Sequence, residues 1–155
     1  MTSSLREEIR QRKPFASLAQ EAFLSIRRTE TVLHDAMDRV LKPHGIAQTQ
    51  YNVLRMLRGA GPEGLCRNDI RDRLITRMPD VTRLLDRMEE AGLVVRDRGT
   101  EDRRLVHTRL TRQGRALVDK LDDEVADEHE RQLGHMSADQ LQVLIQLLML
   151  ARQVA

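Results

Sequence analysis

Apolar residues recur at helical spacing in six stretches of this chain, and the regularity breaks once, at two short β-prone runs. Ahead of them, residues 1–14 read as an arm. Ser4 and Glu7 form a capping box for a short helix that should stop near Pro14. A long helix is expected over about 16–41, carrying Ala19, Phe23, Ile26, Leu33, Met37, Val40 and Leu41, and Lys42-Pro-His-Gly45 ends it. The next helix, about 48–58, places Tyr51, Leu54 and Leu57 on one face. A loop with three glycines and a proline follows. A third helix is expected over about 67–75, with Ile70 and Leu74 inward. A fourth should hold Pro79 in its first turn, bury Val81, Leu84, Leu85 and Met88, and stop at Gly92.

Beyond the break, Thr111 caps a fifth helix over about 112–133, with Leu117, Leu121 and Val125 at helical spacing, and Gly134 ends it. Ser137 and Gln140 form a capping box for a sixth, ending near Val154. Leu141, Val143, Leu144, Ile145, Leu147, Leu148, Met149 and Leu150 cover nearly its whole circumference. A helix that apolar must be buried on all sides, which here calls for a second protomer.

The break itself is residues 93–114. Leu93-Val-Val is followed by a charged, Gly-containing tip and then by a second β-prone run that ends in Leu110-Thr111-x-x-Gly114. That pattern predicts a β-hairpin with arginines on its loop. The helix before it is also arginine-rich. A basic helix followed by a basic hairpin is the layout of a winged helix-turn-helix, which sets the helix in the DNA major groove and the wing in the minor groove beside it. The fold class that follows is mainly α with a small β-hairpin. Residues 1–45 would form an N-terminal arm and dimerisation helix, 46–112 the winged DNA-binding domain, and 113–155 the C-terminal dimerisation helices.

Charge sharpens this picture. The net charge is only +2, yet residues 67–115 hold 13 arginines against nine acids, while residues 116–140 hold two basic residues against eight acidic ones. A local basic face suits a phosphate backbone, though a solvated mixed-charge surface has the same composition. Of 26 basic residues only Lys13, Lys42 and Lys120 are lysines, and arginine suits bidentate contacts to phosphate and guanine. Aromatic content is 2%, so the core must be aliphatic. With no apolar run of about 18 residues, no apolar leader and one cysteine, the cytoplasm is the expected compartment and no membrane contact is expected.

Val81-Thr-Arg-Leu-Leu-Asp-Arg-Met-Glu-Glu-Ala-Gly-Leu-Val-Val-Arg96, then Asp102-Arg-Arg104, then Leu110-Thr111-x-x-Gly114 resemble, in that order and spacing, the MarR (multiple antibiotic resistance repressor) family of bacterial transcription regulators. The resemblance covers nearly the whole chain from about Phe15. It implies a homodimer with intertwined terminal helices, double-stranded DNA as partner, and a small-molecule or redox input. It places the recognition helix at Pro79 through Ala91, with Arg77, Asp80, Thr82, Arg83 and Arg87 toward the groove. It also implies a wing in which Arg104 enters the minor groove and Asp102 holds it, with Arg96, Arg98 and Arg103 as further basic positions. Asp86 is expected to pair with a neighbouring arginine. A small effector is expected between the first two helices and the winged domain, and His34, Met37 and Tyr51 are its expected lining.

Other chemistry finds little footing. Cys66 stands where the third helix should begin, a position that lowers a thiol pKa, but a small half-buried cap residue is the expected role. The five histidines lack metal-ligand spacing, so no metal is expected. There is no Gly-rich phosphate loop and no nucleophile motif, so neither a cofactor nor an enzyme is expected. The expected function is a sequence-specific, ligand-responsive transcription regulator, more specifically a repressor, binding an inverted repeat. The alternative is an architectural protein that binds DNA without sequence preference.

Overall fold

A computed structural model of the chain describes residues 4–98 and 105–153. It divides into two units, residues 1–37 and 38–155. In the first, α1 (Leu5–Glu8) is a single turn closed by the expected capping box. Ser4 N–H donates to Glu7 Oε2 at 2.8 Å, and the Ser4 hydroxyl accepts from the Glu7 N–H. The turn ends well before Pro14, because Arg10 takes a left-handed φ of 53° that no helix continues through. Helix α2 (Leu18–Leu41) follows, and Leu18, Phe23, Ile26 and Val32 on it are exposed.

The second unit is built on α3 (Gln48–Ala60), α4 (Arg67–Arg73), α5 (Val81–Glu90), α6 (Arg112–Leu133) and α7 (Ala138–Ala151), with strands β1 (Leu65–Cys66), β2 (Val94–Arg98) and β3 (Val106–Leu110). Its core is aliphatic, as the composition requires. Leu41, Val53, Leu54, Leu57, Ile70, Leu85, Met88, Val118 and Leu121 are all but inaccessible. Each such side chain contributes about 1.5–3 kcal/mol by leaving water.

Two helix boundaries differ from expectation. The α4 helix stops at Arg73, because Leu74 turns extended (φ −62°, ψ 130°) and is buried, leaving Ile75 exposed. The α5 helix starts at Val81, two residues after Pro79. Asp80 is its N-cap, in a non-helical conformation, and its carboxylate accepts the Arg83 N–H at 2.9 Å. At the other end Gly92 takes φ 71° and the Leu93 N–H reaches back to the Met88 carbonyl at 2.9 Å, so the chain leaves α5 directly into β2.

The expected two-stranded hairpin is part of a three-stranded antiparallel sheet in the order β1-β3-β2. Thr108 sits opposite Arg96 on one side and Leu65 on the other. Two residues are too few for β1 to show any alternation. The Leu-Thr-x-x-Gly run acts as a buckle. The Thr111 hydroxyl accepts the Gly114 N–H at 3.0 Å and donates to the Gly92 carbonyl at 2.6 Å, while its N–H bonds the Leu93 carbonyl at 3.1 Å. A Cβ on Gly114 would lie 2.0 Å from that same carbonyl, so only glycine fits.

Helix α6 spans the expected residues and is tied to α3 by Arg58. Its guanidinium grips both oxygens of Asp122 (2.6 and 2.9 Å) and one of Asp119 (2.8 Å). Those hydrogen bonds hold the Asp122 carboxyl below its usual range. His44 Nε2 meets Glu124 Oε2 at 2.9 Å, a second link to α6. Helix α7 opens on the expected Ser137–Gln140 capping box and ends three residues before Val154. None of its residues is buried within the protomer. Among the described residues no helix is long and apolar enough to cross a membrane.

Candidate nucleic-acid interface

The α5 helix has two unlike halves. Val81, Leu84, Leu85 and Met88 fall at i, i+3, i+4 and i+7 and are buried. Thr82, Arg83 and Arg87 lie on the opposite side and are exposed, and Arg77 is exposed in the turn before the helix. Among the described residues, Arg77, Arg83, Arg87 and Arg98 pair with no carboxylate. Among the described residues that face therefore presents guanidinium groups without a carboxylate partner.

The remaining site residues have local work to do. Asp80, expected toward the groove, spends one carboxylate oxygen on the cap of α5. Thr82 accepts from Arg67 Nη1 at 3.3 Å, so the start of α4 reaches the start of α5. Sequence reasoning did not single out Arg67; its place at the first position of α4 was the available signal. Cys66 is the N-cap residue of α4 and half-buried, and its thiol donates to Asp69 Oδ2 at 3.0 Å. That bond lowers the Asp69 pKa.

Arg96, expected on the wing, is held by α5. Its Nε and Nη2 donate to Glu89 Oε2 at 2.9 and 2.6 Å, its backbone N–H donates to Glu89 Oε1 at 3.0 Å, and Nη2 lies 2.6 Å from Asp86 Oδ1. Asp86 thus pairs with an arginine, as expected. The Arg96 bond depresses the Glu89 pKa and the Glu89 bond raises that of Arg96. On the wing Arg109 pairs with Asp97, and Arg98 is exposed at the end of β2. Asp102, Arg103 and Arg104 lie outside the described residues.

The expected effector residues stand as follows. His34 is exposed on α2, and Met37, further along it, is buried. Tyr51 is buried in α3, and burial raises its pKa. Among the described residues no cluster of His, Cys, Asp and Glu could hold a metal ion.

Helix, turn, arginine-faced helix and hairpin define a winged helix-turn-helix, and known proteins say which kind. The model of the MarR family matches residues 46–106. The HTH-type transcriptional regulator YkoM of Bacillus subtilis (strain 168), itself uncharacterised, is 34% identical over 107 residues, 69% of this chain and 68% of its own. A MarR transcription factor from Planctomyces limnophilus is 43% identical, with a TM-score of 0.67 over 88% of this chain and 99% of its own. A mutant MarR of Escherichia coli, solved with operator DNA, shares the fold at a TM-score of 0.76. It is 24% identical, over 97% of this chain and 99% of its own. The chain belongs to the MarR family. It is a DNA-binding transcription regulator, and its family is not one of enzymes.

Proposed function

We propose that this chain binds an inverted-repeat operator as a homodimer and represses transcription there until a small effector releases it. The observation that carries the reading is the arginine face of α5, without a carboxylate partner among the described residues, set beside a basic hairpin by a packed apolar half. Arg83 and Arg87 are one helical turn apart and suit the major groove, where an arginine grips guanine O6 and N7 together. Arg77 and Arg98 flank them and suit phosphates. The Asp102 and Arg104 pair would carry the wing into the minor groove, with Arg103 on phosphate. A dimer occupying such an operator would bar other proteins from it.

Dimerisation is supported by α7. Val143, Ile145, Leu147, Met149 and Leu150 are 52–64% exposed in the single protomer, an arrangement that water does not favour and a second copy would relieve. Two copies related by a two-fold axis would present recognition helices to half-sites about 10 base pairs apart. A regulator of this kind works in the cytoplasm, where DNA is.

The test is a titration of the pure protein on its own upstream DNA and on scrambled duplex, with sedimentation to count protomers. Preference for one inverted repeat by about three orders of magnitude supports the reading. Uniform affinity would make the protein architectural. An effector should raise the melting temperature and lower DNA affinity together, because the two binding events are linked. His34, Met37 and Tyr51 are each to be substituted in that screen.

A further inference from the structure

Among the described residues of α5 and the hairpin, Arg96 holds the most heavily bonded guanidinium, and its partners are protein. It stands on β2, opposite Thr108 of β3, and it reaches across to α5. Its side chain is 25% exposed, against 36% for Glu89 and 47% for Asp86. Two carboxylates facing one guanidinium leave the cluster with net negative charge, a poor partner for a phosphate. Leu85 and Met88 of α5 and Val94 of β2 are buried in the common core, and the Arg96 clasp adds a polar tie between the same two elements. An open cleft of about 340 Å³, lined by Arg67, Thr82, Leu85, Arg96, Val106 and Thr108 among others, lies where α4, α5 and the strands meet. Arg96 lines that cleft, and its clasp to Glu89 and Asp86 ties β2 to α5 beside it.

We propose that Arg96 is a positioning residue: clasped by Glu89 and Asp86, it fixes the angle between the recognition helix and the wing so that both meet one duplex. This rests on the DNA-binding reading above. Helix and hairpin contact adjacent grooves, and a wing free to rotate against the helix would lose the contacts of one whenever it made those of the other.

Glu89→Gln separates this role from a direct contact. The substitution removes a negative charge and leaves Arg96 in place. A clasp predicts operator binding about tenfold weaker, the equivalent of one broken charge-assisted bond, with an unchanged salt slope. A direct phosphate contact by Arg96 predicts equal or tighter binding, since a competing anion is gone. In parallel, Arg96→Ala should leave the salt slope of binding unchanged if Arg96 is a clasp, and should lower it by about one if it neutralises a phosphate. The charge swap Glu89→Arg with Arg96→Glu should recover most of what either single change loses, because Asp86, Arg and Glu still form a chain of opposite charges. A folded swap protein that binds as weakly as Arg96→Glu overturns the proposal.

The wild-type protein offers a readout that no unstable variant can spoil. The Arg96 Nε–H resonance should be protected from exchange in the free protein and unmoved when operator DNA is added. A rapidly exchanging signal in the free protein, or a shift on adding DNA, contradicts the clasp. Should the wild type bind no DNA at all, the functional reading fails and not this one alone.

Discussion

Helices α5 and α7 solve opposite problems within one unit. The α5 helix buries four apolar residues in its own protomer and turns Thr82, Arg83 and Arg87 outward. The α7 helix buries no residue fully: Leu141, Leu144 and Leu148 are half-buried, and Val143, Ile145, Leu147, Met149 and Leu150 are exposed. The first is completed from within and leaves a charged face, which a polyanion can use. The second leaves an apolar face, which only another apolar surface can use. The kind of side chain each helix leaves exposed therefore suits α5 to a polyanion and α7 to an apolar surface.

Breaking α7 should have the largest effect. Replacing Leu144 and Leu148 together with Glu is expected to yield monomers or unfolded chains in sedimentation. Burial of about eight aliphatic side chains at an interface contributes on the order of 10 kcal/mol before entropy is counted. A double variant that stays a folded dimer would place the interface elsewhere. Next comes the buried half of α5. Met88→Ala leaves a cavity where nothing is exposed, and urea denaturation should show a loss of about 2–5 kcal/mol. An unchanged midpoint would mean that α5 is not seated as described.

The wing should matter less, and differently. Arg104→Ala is expected to weaken binding to most sequences and to lower the salt slope by about one, since a minor-groove arginine reads width and potential more than base identity. Wild-type affinity in that variant would remove the wing from the interface.

The smallest effect concerns pH. Asp122 and Glu89 have depressed folded pKa values, from bonds to Arg58 and Arg96 respectively. The stability they contribute is fully present above the unfolded carboxylate range, about pH 4, and is lost as pH falls through their lowered folded values. Both are partly exposed, so solvent screening keeps the contribution small. Melting temperature should decline below pH 4, and less steeply in Asp122→Asn. An identical profile in that variant would mean that the Arg58 link is idle.

Much of this was legible in residues 81–140. Thr111 and Gly134 bound α6, and Ser137 opens α7, because capping is local and a cap can be read from a few residues. The buried stripe of α5 was legible for the same reason: its spacing is a property of one helix. What escaped depends on residues far apart in the chain or on competition between neighbours. The β1 strand exists only because Leu65 meets Thr108 across 43 positions. Pro79 was a plausible first helical residue until Asp80 took the cap. Arg96 looked like one more basic wing residue. Only its distance to Glu89 and Asp86 shows that its charge is spent inside the protein.

The central claim is that the exposed face of α5 reads base identity. It is tested most directly by Arg83→Ala, titrated on operator and scrambled duplex across a salt series. A bidentate arginine–guanine contact is worth roughly 1–3 kcal/mol of discrimination. The variant should therefore lose preference at one position in each half-site while its affinity for scrambled DNA stays nearly that of wild type. Equal losses on both duplexes would make Arg83 a phosphate anchor and contradict the claim.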